Sequence, residues 1–162
     1  MGVARADANA LLNNTAFSPW HQTEFVSELA ALDGVAGRAD FVRAAAEISE
    51  DESDAIFCAQ TAELMRRIHG AGTKFDRIVI RNGYPVCIAA DGRVILALQW
   101  DYAAWTPRAA AFLDEIEKLA AQDGKPARIH VVLTGAVSPT LRAQLEARGV
   151  SVQDRVVPGP LQ

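Results

Sequence analysis

Residues 76–99 read DRIVIRNGYPVCIAADGRVILALQ, and this stretch decides the fold class. It contains two turn dipeptides, Asn82-Gly83 and Asp91-Gly92, each set between apolar runs. Both central residues of a type I′ turn need a positive φ, which Asn-Gly and Asp-Gly accept readily. The stretch therefore predicts a three-stranded antiparallel meander with two-residue turns, with strands over 76–81, 84–90 and 93–99.

Helical patterns precede and follow the meander. Ser-Pro or Thr-Pro pairs at 18–19, 106–107 and 138–139 each predict a helix start, because Ser and Thr are favoured N-caps and Pro is tolerated at the first helical position. A strand over 128–133 and another over 150–156 flank the last helix, so they should be parallel. The other predicted helices cover 39–48 and 50–69. The fold class is α/β: N-terminal helices, then a meander extended by βαβ into a mixed sheet with helices on both faces.

The length of 162 residues suits one domain. We predict an irregular N-terminal segment over 1–17 and a single α/β domain over 18–162. Within that domain, 18–72 is the helical part and 73–157 is the mixed-sheet part. Residues 123–126, Asp-Gly-Lys-Pro, predict a turn.

An acidic run opens the helix predicted over 50–69. Ser49 and Glu52 have the spacing of a capping box, with Ser49 as the N-cap. Glu50, Asp51, Glu52 and Asp54 resemble a metal cluster at first sight. Their place in the first helical turn favours a different interpretation, negative charge that complements the helix dipole.

Composition limits the classes of partner. The net charge is −4; residues 1–75 carry 6 Lys+Arg against 11 Asp+Glu, and residues 76–162 carry 10 against 9. Neither half has the basic footprint that nucleic acid demands. No apolar run approaches the roughly 20 residues of a membrane helix, and no signal peptide opens the chain. We therefore expect no membrane segment and, by default, a cytoplasmic protein, although the chain would also suit a piece of a larger one.

The element order resembles a known fold family. The helix over 50–69, the meander, the helix over 107–122 and the next strand give α-β-β-β-α-β. The tail adds VVLTG at 131–135 and GVSVQD at 149–154, separated by a short helix. Residues 50–156 thus resemble the restriction-endonuclease-like fold, and the tail looks like that of its Mrr-type members.

This resemblance implies a Mg²⁺ site that the sequence matches only in part. Members of the family place an acidic residue on the second strand. On the third strand they place Glu or Gln and, two positions later, Lys. Gln99 could match the first of these, but Asp101 stands where Lys is needed, and Asp91 lies in the turn rather than on the second strand. The resemblance therefore implies a shared fold with a degenerate site around Asp101.

The densest candidate site is the segment after the third strand, which contains Gln99, Trp100, Asp101, Tyr102 and Trp105. It lies at a strand's carboxyl end and just before a helix, the usual ligand position in open α/β sheets. An Asp among three aromatics could have a raised pKa and act as a general acid. Alternatively, the aromatics cover the sheet edge and the carboxylate accepts from backbone donors. We expect two of the three aromatics to be buried and one exposed.

Other candidates are weaker. The loop from Thr134 to Ser138 precedes a helix and could hold an anion on its N–H groups. The three histidines lack metal-ligand spacing, the two cysteines have no Cys-x-x-Cys partner, and no Gly-x-Ser-x-Gly elbow is present. We therefore predict no metal site and no cofactor, and structural roles for His21, His69, His130, Cys58 and Cys87.

The sequence favours a non-catalytic protein-binding or assembly domain that contacts a protein partner or a second copy of itself. The motivation is well-specified local structure without an acid, base, nucleophile or metal set at workable spacing. The alternative is a Mg²⁺-dependent, nuclease-like hydrolase that uses Asp101 and Asp91. That alternative requires the two carboxylates to lie within a few Å of each other.

Overall fold

The computed structural model describes residues 1–122 and 128–157. In these residues the helices are α1 (Arg5–Asn13), α2 (Pro19–Ala31), α3 (Arg38–Ile48), α4 (Glu52–Gly70), α5 (Pro107–Ala121) and α6 (Pro139–Ala147). The strands are β1 (Phe75–Arg81), β2 (Tyr84–Ala89), β3 (Val94–Leu98), β4 (Tyr102–Ala103), β5 (Ile129–Leu133), β6 (Ala136–Val137) and β7 (Ser151–Gln153). The turn predicted at 123–126 lies outside the described residues. Among the described helices, none is both long and apolar enough to cross a membrane.

The predicted meander is confirmed, because β2 pairs antiparallel with both β1 and β3. The first turn is also as predicted: φ is positive at both Asn82 (50°) and Gly83 (82°). The two-residue turn predicted at Asp91-Gly92 is wrong. There the turn spans residues 90–92, and only Gly92 has a positive φ (87°). The Asp91 carboxylate accepts from the N–H of Arg93 (3.1 Å), which favours this longer turn.

The main sheet has the strand order β1-β2-β3-β5-β7. β5 is parallel to both β3 and β7, so the predicted mixed sheet and βαβ unit are confirmed. Alternate residues of the strands face two different helical layers. One face packs against α1–α4 and includes Ile78, Cys87, Ile95, Ala97 and Val132. The other packs against α5 and α6 and includes Val86, Leu96, Leu98, Val131 and Leu133.

The sequence predicts an irregular segment over 1–17. This prediction is wrong, because the segment contains α1. Leu11 is the one buried residue of this helix, so the helix shows no apolar stripe in the sequence. α1 packs on α3. The Asn14 side chain then donates to the main-chain oxygens of Ala46 and Ser49, both at 3.0 Å, and holds the segment in place.

The start of α4 also differs from the prediction. Asp51 is its N-cap, whereas Ser49 is the buried C-cap of α3. Hydrogen bonds from the Ser53 hydroxyl and from the N–H groups of Asp54 and Ser53 hold the pKa of Asp51 below its usual range. The Asp54 carboxylate accepts from the N–H of Glu50 (2.9 Å). The interpretation of this acidic run as charge at a helix N-terminus is therefore confirmed.

The last strand is shorter than predicted. β7 covers three residues rather than the 150–156 that the pattern indicates. Arg155 has a φ of 54° and breaks the extended backbone, and its N–H donates to the Gly135 oxygen (2.9 Å). The chain thereby returns to the carboxyl end of β5.

Candidate functional site

The two predicted site segments meet at the carboxyl ends of β3 and β5. These strands are parallel neighbours, so the chain leaves both at the same edge of the sheet. Beyond that edge, β4 and β6 pair in parallel as a two-stranded ribbon. The N–H of Ala136 donates to the oxygen of Asp101 (2.9 Å), and the N–H of Ser138 donates to that of Ala103 (2.8 Å). Neither short strand is evident from the sequence.

The ribbon uses part of the loop from Thr134 to Ser138, where the sequence predicts an anion site. Two of the loop's N–H groups make the ribbon bonds just described. A third, on Val137, donates to the carboxylate of Asp154 (3.3 Å), which the chain itself supplies. The Ser138 hydroxyl caps α6, and the Thr134 hydroxyl donates to the main-chain oxygen of Trp100 (3.4 Å). Thr134 and Ser138 thus use these polar groups within the fold, and a binding role for them stays a prediction.

Four aromatic side chains form what we call the aromatic cluster: Phe57 of α4, Tyr84 of β2, Trp100 of the segment between β3 and β4, and Phe112 of α5. The ring of Trp100 lies 5.4 Å from Tyr84 in an edge-to-face arrangement and 6.3 Å from Phe57 in a stacked one. Tyr84 also contacts Phe112, with ring centroids 5.5 Å apart. These contacts fix the position of the Trp100 ring between two cavities.

On one side of the cluster is the aromatic cleft, a cavity of about 530 Å³. Its floor is formed by Leu96 and Leu98 of β3 and by Val131 and Leu133 of β5. Its walls include Tyr84, Trp100, Tyr102, Trp105, Arg108, Phe112, Leu113, Leu141 and Leu145. Tyr102 is 63% exposed. Trp105 is half-buried and lies under the guanidinium of Arg148, at 5.6 Å from the ring centre.

On the other side is the acidic pocket, a cavity of about 550 Å³. Its charged lining residues are Glu50, Asp54, Asp101 and Arg108. Its other lining residues are Ile48, Ser53, Phe57, Asn82, Gly83, Tyr84, Gln99 and Trp100. Glu50 and Asp54 come from the start of α4, far from Asp101 in sequence. The fold therefore collects negative charge beside the aromatic cluster.

The five residues of the predicted segment all line one cavity or the other. Gln99 lines the acidic pocket, Tyr102 and Trp105 line the aromatic cleft, and Trp100 and Asp101 line both. Tyr102 is exposed, as predicted for one of the three aromatics, but the other two are half-buried rather than buried. Asp101 is exposed, so the aromatics do not enclose its carboxylate as the general-acid interpretation requires.

Other lining residues come from distant elements, and sequence reasoning missed them: Glu50, Asp54, Phe57, Asn82, Tyr84, Arg108 and Phe112. Asn82 lies in the first hairpin turn and Tyr84 directly follows it, and this hairpin brings both to the edge where β3 ends. The turn was evident, but its position over the end of β3 depends on strand register. Arg108 follows the recognisable start of α5, a signal that could have placed it near the segment.

The carboxylates of the hydrolase alternative are not together. Asp91 precedes β3 and Asp101 follows it, so they lie at opposite ends of a five-residue strand. Since a strand rises about 3.3 Å per residue, this strand alone separates them by more than 10 Å. Asp91 pairs instead with Arg93 at 2.8 Å. Within 1–122 and 128–157, no three His, Cys, Asp or Glu side chains are grouped closely enough to hold a metal ion.

The cysteines and two of the histidines have the structural roles that were predicted. Cys58 and Cys87 are buried, and burial raises the pKa of Cys58 to about 12 and raises that of Cys87 as well. Such thiols are unreactive. His69 accepts the N–H of Phe75 on Nδ1 (3.0 Å), and Nδ1 of His130 lies 2.7 Å from the Ser151 hydroxyl.

No protein-family model matches this chain, and neither does any curated protein or solved structure. The resemblance to the restriction-endonuclease-like fold accordingly stays a prediction from the element order and the tail motif. Function must be argued from the geometry of the site itself.

Proposed function

We propose that this chain is a non-catalytic domain that binds a protein partner through the aromatic cleft. The observation that carries the proposal is an exposed Tyr102 at the mouth of an apolar cavity of about 530 Å³. Recognition sites are typically concave and mostly apolar, with a few polar groups at the edge. The residues that dominate protein interfaces are most often Trp, Tyr and Arg, which here are Trp105, Tyr102 and Arg108.

The backbone around Tyr102 supports the proposal because it is held before any partner arrives. Tyr102 pairs with Ala136 in the β4–β6 ribbon, and the ribbon is hydrogen-bonded at both ends. An aromatic side chain on a fixed backbone loses little conformational freedom on binding, so more of its contact energy contributes to affinity. A partner side chain could enter the cleft beside Tyr102 and Trp105, which both line it.

The test is selection of ligands from a random peptide library displayed on phage, with the purified chain immobilised. Enriched peptides are then synthesised with a fluorescent label and titrated with wild type, Tyr102→Ala and Trp20→Ala. Trp20 is 56% exposed on α2 and lines neither cavity, so it is a matched aromatic control. We expect apolar or aromatic anchors in the peptides. Affinity should fall roughly tenfold or more with Tyr102→Ala and stay unchanged with Trp20→Ala.

Two results would overturn the proposal: no enrichment above background, or peptides that bind Tyr102→Ala as tightly as wild type. Sedimentation velocity supplies a separate check over a range of concentrations. A dimer that Tyr102→Ala dissociates would show that the cleft binds a second copy of this chain rather than another protein.

A further inference from the structure

The acidic pocket defines the chemistry of the partner. We infer that the segment bound in the aromatic cleft carries a Lys or Arg close to its apolar anchor, and that this cation enters the acidic pocket. The inference rests on the proposed function, since it describes the ligand of the same site.

The two cavities adjoin each other. Tyr84, Trp100, Asp101 and Arg108 line both of them, together with Asn82. A segment with a side chain in the cleft therefore needs to pass only the edge of the Trp100 and Tyr84 rings to reach the pocket. In an extended peptide, side chains two positions apart point the same way and are about 7 Å apart. One peptide can thus occupy both cavities.

The charge of the pocket favours a cation. Three acidic residues and one basic residue line it. Glu50 and Asp101 are exposed, so water screens them, but they remain open to an incoming group. The rings of Phe57, Tyr84 and Trp100 form the adjoining wall. Aromatic faces beside carboxylates attract ammonium and guanidinium groups through both their charge and their apolar parts.

The arrangement suits an organic cation better than a metal ion. Calcium and magnesium need several oxygen ligands at about 2.0–2.6 Å from one point. Here the carboxylates lie around a cavity of about 550 Å³, and the described residues hold no group of three that could converge on a metal. A long flexible Lys or Arg side chain can approach such dispersed charges.

The charge of the whole chain acts in the same direction. The net charge is −4, and the 75 N-terminal residues, which supply Glu50 and Asp54, carry 11 acidic against 6 basic residues. This field attracts a basic partner and repels an acidic one before contact.

The test uses the selected peptides in three synthetic forms: the original base, Gln in its place, and Glu in its place. Affinities are measured at about 50 mM and about 500 mM NaCl, because salt screens such pairs. The pocket variant is Glu50→Gln with Asp101→Asn. The control is Asp33→Asn with Glu146→Gln, which removes the same charge from exposed positions that line neither cavity.

We expect Lys or Arg to be enriched near the apolar anchor. Replacing it with Gln should weaken binding roughly three- to tenfold at low salt, and less at high salt. The pocket variant should abolish this preference, and the control should keep it. If base and Gln forms bind equally, or if the control loses the preference equally, the inference is overturned while Tyr102-dependent binding sustains the proposed function. If no peptide binds, both fail.

Discussion

The aromatic cluster makes a strong prediction about stability, because Trp100 has neighbours on two sides that Tyr102 lacks. Truncating a fully buried Trp costs about 3–5 kcal/mol. Trp100 is only half-buried, which lowers that value, but it loses edge-to-face and stacked contacts worth about 0.5–1.5 kcal/mol each. We therefore expect Trp100→Ala to cost about 2–4 kcal/mol in free energy of unfolding. Tyr102→Ala should cost less than about 1 kcal/mol, because that side chain is 63% exposed.

Urea unfolding followed by far-UV circular dichroism measures these costs without relying on the fluorescence that the substitutions change. Trp105→Ala should fall between the other two, since Trp105 is half-buried and has one cationic neighbour, Arg148. Trp20→Ala controls for the loss of an exposed Trp. The m-value should stay constant, so that midpoints report stability. If Trp100→Ala costs no more than Tyr102→Ala, Trp100 is not held by the cluster, and the wall between the two cavities is not fixed.

Three further predictions concern other positions. Gly135→Ala should destabilise by about 2–4 kcal/mol in urea melts, because an added Cβ would overlap the main-chain oxygen of Asp101 and open the ribbon; a change below about 0.5 kcal/mol would contradict this. Gly70→Ala, at the end of α4 with open space around it, should instead stabilise the protein by about 0.5–1 kcal/mol. A loss of stability would contradict the helical conformation of residue 70. His69 has a lowered pKa, mainly through burial, and its Nδ1 accepts from Phe75, so the neutral ring is favoured. The contribution of neutral His69 to stability should therefore be fully present above pH 6.5, the ordinary pKa of histidine. It should fall as the pH drops below that value, since the unfolded chain takes up the proton first. His69→Gln should flatten the dependence of the urea midpoint between about pH 7.5 and 5, and an unchanged slope would refute the assignment.

The sequence predicts elements whose signals are local. Ser18, Thr106 and Ser138 are all N-caps with Pro following, as the Ser-Pro and Thr-Pro pairs indicate. Asn82-Gly83 forms the predicted turn because both φ angles are set by the residues themselves. At Asp91-Gly92 the Arg93 N–H donates to the Asp91 carboxylate, which favours a turn longer than two residues. α1 has one buried residue, so no apolar stripe reveals it in the sequence, although it packs on α3.

The sequence predicts one part of the candidate site, because only that part has local signals. The segment from Gln99 to Trp105 is dense in functional residue types and follows a recognisable strand, so its location could be inferred. Its partners could not, because Phe57 and Phe112 reach it only once α4 and α5 pack on opposite faces of the sheet. The loop from Thr134 to Ser138 also depends on a distant residue. Asp154, far along the chain, supplies the anion that the loop's N–H groups would otherwise lack.

Helix electrostatics stabilise part of the negative charge in the acidic pocket. Asp54 lies in the first turn of α4 and accepts from the N–H of Glu50, so the positive end of the helix stabilises the charge that it contributes. Arg108 lies in the first turn of α5, where the same effect disfavours a cation, and the nearby carboxylates offset that cost. The pocket is therefore preformed, and part of its field is already balanced. A partner's cation should accordingly contribute more to the rate and orientation of association than to total affinity, while the apolar contacts of the cleft set the lifetime of the complex.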